Sequence, residues 1–346
     1  MKILVSALEK SANIHLKEVL KHIDCDICGI FDKSLSDPII DLQSLSSMGF
    51  VDVVKKIPLF YELQNEMVDL AKDVDKVLLI DSSGFNLPLA KKIKKRYPKK
   101  SIIYYILPQA WAWRKSRIKV LEKYIDKLCS ILPFEREYYS KSAPIEYVGH
   151  PLLDEIKEFK ESITRSSYIT FMPGSRVGEI KRLFPIFKEV RKSIDKDAIV
   201  VIPSHFDKDL IKNVYKDLDG FIVTNDAKEA LIKSEFAFIC SGTATLESAL
   251  IGTPLILSYI ANPIDFFIAK NFVKLKYVGL ANIFLTHLKE SQIHPEFIQN
   301  EVSSKNLLKA YENFNKNSFF EKSKLLRRYL KHGSSKRVAQ ILKDEV

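Results

Sequence analysis

Glycine is scarce in this chain, 11 of 346 residues, and with 14 prolines it leaves too few breakers for a disordered or fibrous protein. Cysteine is scarcer: four in so long a chain point to a reducing compartment. No uninterrupted apolar run approaches the roughly 18 residues of a membrane span, so a spanning helix is excluded. Met1-Lys2-Ile3-Leu4-Val5 enters a strand-like run directly and lacks the basic, apolar, small-residue order of a signal peptide. GxGxxG and the Walker A lysine loop are missing too, which weighs against dehydrogenases and nucleoside triphosphatases. The expectation is a soluble, cytoplasmic, unexported protein.

What is present is globular and enzyme-sized: 46% apolar, 28% charged, and long enough for two domains that each bury a core. Lys and Arg number 54 against 43 Asp and Glu, a formal +11. Such an excess attracts polyanions, among them nucleic acid, anionic membrane and phosphorylated substrates, although lysine-rich composition alone gives the same balance.

Short apolar runs alternate with helical patterns. Ile3–Ala7, Cys25–Phe31, Val77–Ile80, Ile102–Ile106 and Leu128–Leu132 read as strands, and Ile14–His22, Leu59–Ala71 and Leu87–Lys95 as helices. The scheme repeats with strands at Tyr168–Met172, Ile199–Ile202, Phe221–Val223, Phe236–Cys240 and Leu255–Ser258. Helices are expected at Glu179–Ser193, bent or shortened by Pro185, and at Asp207–Tyr215, Ala227–Lys233 and Thr245–Ile251. The charged stretch Asp154–Ser167 is the best linker, and the tail after Ser304 is helical apart from Gly333-Ser334-Ser335. This predicts an α/β protein of two doubly wound parallel sheets, with ligands beyond the carboxyl ends of the strands and the interdomain cleft as the expected site.

In Cys240-Ser241-Gly242-Thr243-Ala244-Thr245-Leu246-Glu247 an apolar strand meets a small-residue turn and a helix, leaving N–H groups for a phosphate. Glu247, about one turn in, can reach a ribose hydroxyl. An ordinary turn capped by Thr243 or Thr245 has the same spacing. Gly174-Ser175-Arg176 follows another strand, and its arginine fork suits pyrophosphate, though a surface arginine is the commoner case. Asp81 ends a buried strand, as either a general base or a turn aspartate. His150, where the chain leaves the first domain, is structural or catalytic.

Trp111 and Trp113 stand beside Arg114, Lys115 and Arg117, a mixture suited to a lipid–water interface or to stacking on a base or sugar. In Ile264–Val278, Ile264, Phe267, Ile268, Phe272 and Leu275 share a helical face, with Lys270, Lys274 and Lys276 elsewhere. That fits a membrane-surface helix and equally a core-facing one. Cys25 and Cys28 form a CxxC inside a strand with no second ligand pair, and Asp-x-Asp occurs five times, so neither indicates a metal.

In chain order, Pro108–Arg114 (PQAWAWR), Leu132–Glu135 (LPFE), Val148–Leu152 (VGHPL), Met172–Arg176 (MPGSR), Ser241–Glu247 (SGTATLE) and Tyr277–Asn282 (YVGLAN) resemble the lipid A disaccharide synthase family. The resemblance runs from the first strand to about residue 300. It implies a GT-B glycosyltransferase: an acceptor-side Rossmann-like domain at 1–160, a UDP-sugar domain at 161–303, and helices at 304–346 packing back on the first. It implies transfer of 2,3-diacylglucosamine from its UDP derivative to the 6-hydroxyl of 2,3-diacylglucosamine 1-phosphate, with inversion, release of UDP, and no cofactor or metal. Asp81 matches the family's proposed base. Gly174, Ser175, Arg176, Ser241, Gly242, Thr243 and Ala244 would hold the diphosphate, with Glu247 and Asn282 as further donor contacts; Glu9, Ser11, Asn86, Trp113 and His150 fall on the acceptor or cleft side.

The chain departs from the family's glycine-rich GEASGD turn, which reads Leu8-Glu9-Lys10-Ser11-Ala12-Asn13 here; ID-A-P-D-F-N becomes Ile80–Asn86, and L-P-N becomes Leu280-Ala281-Asn282. All three changes bear on the acceptor or cleft rather than on the UDP turn. Acylated substrates imply work at the inner face of the cytoplasmic membrane, with Phe267, Lys270, Phe272 and Lys274 as surface candidates on an anionic bilayer. No nucleic-acid partner is expected, and assembly into a homo-oligomer is left open. The alternatives are another UDP-N-acetylglucosamine transferase with a lipid-linked acceptor, a UDP-N-acetylglucosamine 2-epimerase, and a basic nucleic-acid-binding protein.

Overall fold

A computed structural model describes residues 1–41, 57–112, 114–162, 165–262 and 276–344. The chain forms two units, Met1–Glu155 with Leu330–Val346, and Ile156–Tyr329.

In the first unit, β1 (Lys2–Ser6), β2 (Asp26–Phe31), β3 (Ile40–Asp41), β4 (Lys76–Ile80), β5 (Ser101–Tyr105), β6 (Lys127–Ser130) and β7 (Ile145–Tyr147) make a parallel sheet ordered β3-β2-β1-β4-β5-β6-β7. Its helices are α1 (Lys10–Leu20), α2 (Ile57–Leu70), α3 (Ser83–Arg96), α4 (Ser116–Tyr124) and α5 (Pro151–Glu155). Alternate residues of each strand face opposite layers, as a pleated strand requires. Leu4, Val77, Leu79, Ile102 and Tyr104 pack with Met67, Leu89, Ile93 and Leu121 of α2–α4. On the other face Ile3, Val5, Leu78, Ile80 and Tyr105 pack with Leu16 and Val19 of α1. Burial on both faces explains why these strands read as continuous apolar runs.

The second unit repeats the scheme. Strands β8 (Tyr168–Met172), β9 (Asp197–Val201), β10 (Phe221–Thr224), β11 (Phe236–Cys240), β12 (Leu255–Tyr259) and β13 (Glu296–Ile298) are parallel in the order β10-β9-β8-β11-β12-β13. Described helices are α6 (Val177–Lys192), α7 (Lys208–Tyr215), α8 (Ala227–Lys233), α9 (Thr243–Ile251), α10 (Leu280–His287), α11 (Ser304–Glu312) and α12 (Lys316–Leu330), with α13 (Ser334–Lys343) closing the chain. Phe171 and Phe238 stack with ring centroids 5.2 Å apart at the centre of this core.

Three sequence expectations are corrected here. Pro185 does not shorten helix α6, which runs through it, because Leu183, Phe184 and Phe187 are all buried and packing overrides the lost hydrogen bond. The first unit ends at Glu155 rather than at 160: the Asp154 carboxylate accepts from the Gly333 and Ser335 amides at 2.7 and 2.8 Å, fastening α5 to α13. The tail does not return as a whole. Leu307 enters the second core, and Ser323 and Arg327 donate to the Ala249 and Leu250 carbonyls at 2.6 and 2.9 Å, so 304–329 stays with that unit. Only α13 goes back, burying Val338, Ala339, Ile341 and Leu342 against the first sheet.

Candidate active site

In a doubly wound sheet the strand order reverses once, and the loops there splay apart to leave room for a ligand. In the first unit that point lies between β1 and β4, and the residues leaving their carboxyl ends are Glu9 and Asp81. Asp81 and Ser82 both have positive φ, 51° and 41°, which turns the chain sharply out of the sheet. The turn is held from several sides. The Asp81 amide donates to the Tyr105 carbonyl at 3.0 Å, and its carbonyl accepts from the Tyr104 hydroxyl and from Asn86 Nδ2 at 2.8 Å. The Asp81 carboxyl is half-buried, and burial, with the Glu9 carboxylate second, raises it above the ordinary aspartate range. Glu9 Oε1 accepts from Ser82 Oγ at 3.2 Å, and Ser11 is exposed on α1.

Asn86 turns inward. It is fully buried; Oδ1 accepts from Ser6 Oγ at 2.6 Å, and Nδ2 donates to the Ile80 and Asp81 carbonyls. It acts on the site through the Asp81 backbone. His150 is likewise buried, its amide donating to the Lys331 carbonyl at 3.1 Å, and burial pushes its imidazole down to about 3, so it stays neutral. Trp113, Phe267, Lys270, Phe272 and Lys274 lie outside the described residues.

In the second unit the reversal lies between β8 and β11, and both phosphate-type turns leave from it side by side. At the second turn the helix cap is Gly242, and neither Thr243 nor Thr245 caps α9; Thr245 Oγ1 donates to the Gly242 carbonyl at 2.8 Å instead. Gly242 has open space around it, and Gly242 and Thr243 are exposed, so the first amides of α9 look outward. Glu247 is near Lys228, 3.9 Å away.

The first turn is partly spoken for. Glu179 Oε2 accepts from the Ser175 and Arg176 amides at 3.2 and 3.3 Å, and its Oε1 pairs with the Arg176 guanidinium at 2.8 Å. Gly174, at φ 125°, permits this: a Cβ there would stand 2.7 Å from Glu179 Oε2. The Arg176 side chain is still 78% exposed, so the pair is a weak surface one. Asn282 is fully buried, donating to the His294 carbonyl at 3.0 Å and Glu296 Oε1 at 2.7 Å while accepting from the Ile293 amide. It fastens α10 to β13.

Sequence reasoning assigned no role to Glu179, Glu296, Glu135 or His15. Glu179 carries the signature of a capping box, an acid three residues after the cap. Glu296 accepts from the Val278 and Gly279 amides at 2.7 and 3.1 Å, and nothing local announces that. Among the described residues no helix is long and apolar enough to cross a membrane.

The family model described as lipid-A-disaccharide synthetase matches residues 3–344. The lipid-A-disaccharide synthase of Helicobacter pylori strain G27 is 49% identical, over 97% of this chain and 96% of its own length. That of Campylobacter jejuni strain RM1221 is 46% identical, over 99% of each. The chain belongs to the lipid-A-disaccharide synthase family. It is therefore a glycosyltransferase of lipid A biosynthesis. Two solved structures share its fold: UDP-GlcNAc 2-epimerase from Neisseria meningitidis, with a TM-score of 0.63 at 13% identity over 99% of this chain and 100% of that one, and MurG from Acinetobacter baumannii, with 0.56 at 12% over 99% and 98%. Both display the GT-B type of α/β architecture that the first-sheet and second-sheet orders describe here.

Proposed function

We propose that this chain joins two acylated sugars, transferring 2,3-diacylglucosamine from its UDP derivative to the 6-hydroxyl of 2,3-diacylglucosamine 1-phosphate. The half-buried Asp81 carboxyl at the β1/β4 switch point, in a chain of this family, carries the reading. Asp81 takes the proton of the acceptor hydroxyl as its oxygen attacks C1 of the donor sugar. The bond from C1 to the diphosphate oxygen breaks on the opposite side, the configuration inverts, and UDP departs. Burial and Glu9 make Asp81 a better proton acceptor than a solvated aspartate, as general-base catalysis near neutral pH favours.

The charge that grows on the departing diphosphate is met by the outward amides and dipole of α9, which need no reorganisation as the reaction proceeds. Arg176, exposed and only loosely held by Glu179, turns its guanidinium fork to the same oxygens. With these groups taking up the charge, the transfer needs no metal. Gly174, Ser175, Ser241, Gly242, Thr243 and Ala244 line the diphosphate, and Glu247 faces the ribose. The acceptor lies on the first unit, beside Glu9 and Ser11. The enzyme works as a peripheral protein on the cytoplasmic face of the membrane. The formal charge of +11 favours an anionic bilayer by about 1 kcal/mol per well-placed cation, with Phe267, Lys270, Phe272 and Lys274 as the candidate contacts.

The test is an assay of purified protein with both acylated sugars, following UDP release and disaccharide formation. Asp81→Asn should lower turnover by about 100-fold or more, as loss of a general base does, with UDP affinity retained in calorimetry. Wild-type turnover in that variant removes Asp81 as the base.

A further inference from the structure

The tryptophan- and cation-rich stretch after β5 has no part in the transfer as described, yet one of its arginines reaches the Asp81 turn. Arg117 lies in the first turn of α4, and its Nη1 donates to Ser83 Oγ at 2.9 Å. Ser83 opens α3 and stands two residues beyond Asp81, at most about 7 Å of chain away. The two serines that follow Asp81 thus bond to opposite charges. Ser82 Oγ donates to Glu9 Oε1 at 3.2 Å, and Ser83 Oγ accepts from the Arg117 guanidinium. Arg114 and Lys115 are exposed just ahead of α4 and add to the positive charge there.

We propose that Arg117 binds the phosphate of the acceptor sugar. The inference rests on the reading of the transfer given above, in which the acceptor is a sugar phosphate whose hydroxyl meets Asp81. A phosphomonoester carries a charge of about −1.5 to −2 at pH 7. Bringing it to a turn that already holds Glu9 and Asp81 costs repulsion, and a fixed cation beside that turn offsets it. Arginine suits the task, because its charge is permanent and its planar fork matches two phosphate oxygens. A guanidinium has five N–H donors, so a bond to a hydroxyl and a two-pronged bond to a phosphate are compatible on one side chain.

Ser83 also explains how the fork is aimed. A serine hydroxyl orients the guanidinium without neutralising it, as a carboxylate partner would. The chemistry of the acceptor agrees: its 6-hydroxyl and its 1-phosphate project from the two carbons that flank the ring oxygen. One pyranose can therefore offer the hydroxyl to Asp81 and the phosphate to the residue held by Ser83. The other cations of α3, Lys91 to Arg96, begin more than two turns beyond Ser83 and serve the far end of the helix; Lys94 pairs with Asp126 at 2.7 Å.

The experiment follows UDP release by the full chain in nonionic detergent, with 2,3-diacylglucosamine 1-phosphate as acceptor and with the same sugar lacking its phosphate. Where the second sugar is not turned over, its inhibition constant against the first is read instead. Arg117→Met should raise KM for the phosphorylated acceptor by about 10- to 100-fold, the worth of a hydrogen bond to a charged group. The donor KM, and the constant for the unphosphorylated sugar, should stay near wild type, so the preference for phosphate collapses. Arg117→Lys, which restores a cation, should recover most of the loss. Should Arg117→Met fail to fold by circular dichroism, Arg117→Gln is read in the same way. An unchanged acceptor KM, an equal loss with both sugars, or a rise in the donor KM alone overturns the proposal; equal loss gives Arg117 the role of holding the Asp81 turn. Asp81→Asn, assayed alongside, separates the readings: wild-type turnover there removes the base and leaves the phosphate preference to decide Arg117. A wild-type chain that forms no disaccharide overturns both.

Discussion

Glu135 offers the sharpest link between a buried group and a measurable curve. It is 1% exposed in the turn after β6, with Oε2 2.5 Å from the Ser130 hydroxyl and no hydrogen-bond partner for Oε1 among the described residues. Burial pushes its carboxyl from 4.5 up to about 8. The folded chain therefore keeps this proton at neutral pH, whereas the unfolded chain gives it up. Since the native state binds more protons than the unfolded state between these values, stability falls as pH rises through that window. It is fully present below about 4.5 and is lost up to about 8. At 1.36 kcal/mol per tenfold change in proton affinity, the loss is about 3 kcal/mol by pH 7 and approaches 5 kcal/mol by pH 8. That is a large part of a typical folding free energy of about 5–15 kcal/mol. Glu135→Gln keeps the shape and the Ser130 contact but cannot ionise. Its stability should track wild type at pH 4.5 and exceed it by about 3 kcal/mol at pH 7. Urea unfolding followed by tryptophan fluorescence is a suitable assay, because Trp111 packs edge-on against Phe134 at 4.9 Å and both tryptophans belong to the first unit. Parallel curves for the two proteins across this range would refute the argument and mean that water reaches Glu135.

Asn86→Ala leaves the buried Ser6 hydroxyl without its Asn86 partner and removes one of the two side-chain donors to the Asp81 carbonyl; it should cost about 1–3 kcal/mol in urea unfolding and lower kcat while sparing UDP affinity. Gly174→Ala forces a Cβ onto Glu179 at positive φ, so a loss of about 1–3 kcal/mol and weaker UDP binding by calorimetry are expected.

Much of the fold is legible because buried parallel strands leave a plain mark. Phe236–Cys240 is apolar throughout and every residue of it is buried. The short edge strands β3, β7 and β13 have two or three residues each, too few for any periodicity to emerge. The helical tail is legible as helix but not as a divided one: whether a buried face meets the first or second sheet depends on contacts such as Ser323 with Ala249, which have no local sequence signal. The site divides along the same line. Asp81 and the Gly242 turn are visible because an apolar strand meeting a turn marks the carboxyl end of a strand in the sequence itself. Asn86 and Asn282 sit in equally distinctive segments, yet the backbone bonds that these buried amides make have no local sequence signal. Glu135 escapes because its burial is set by residues distant in sequence.

The two switch points solve different problems with the same strand order. In the first unit the group proposed to react is a side chain, so the backbone must aim it. Two successive non-glycine residues in the left-handed region cost about 1–3 kcal/mol each, and such strain persists only where the surroundings over-determine it. The Tyr105 carbonyl, the Tyr104 hydroxyl, the Asn86 amide and Glu9 supply that determination around Asp81 and Ser82. In the second unit the groups proposed to meet the diphosphate are amides, and Gly242 is extended at φ 161°, a conformation open to any residue. What that turn needs is lack of bulk, and it has nothing within 4 Å of a Cβ at Gly242. A small side chain at 242 should therefore be tolerated by the fold and resented only by a diphosphate, whereas any change that relaxes the Asp81–Ser82 turn should move the carboxyl before it disturbs the sheet.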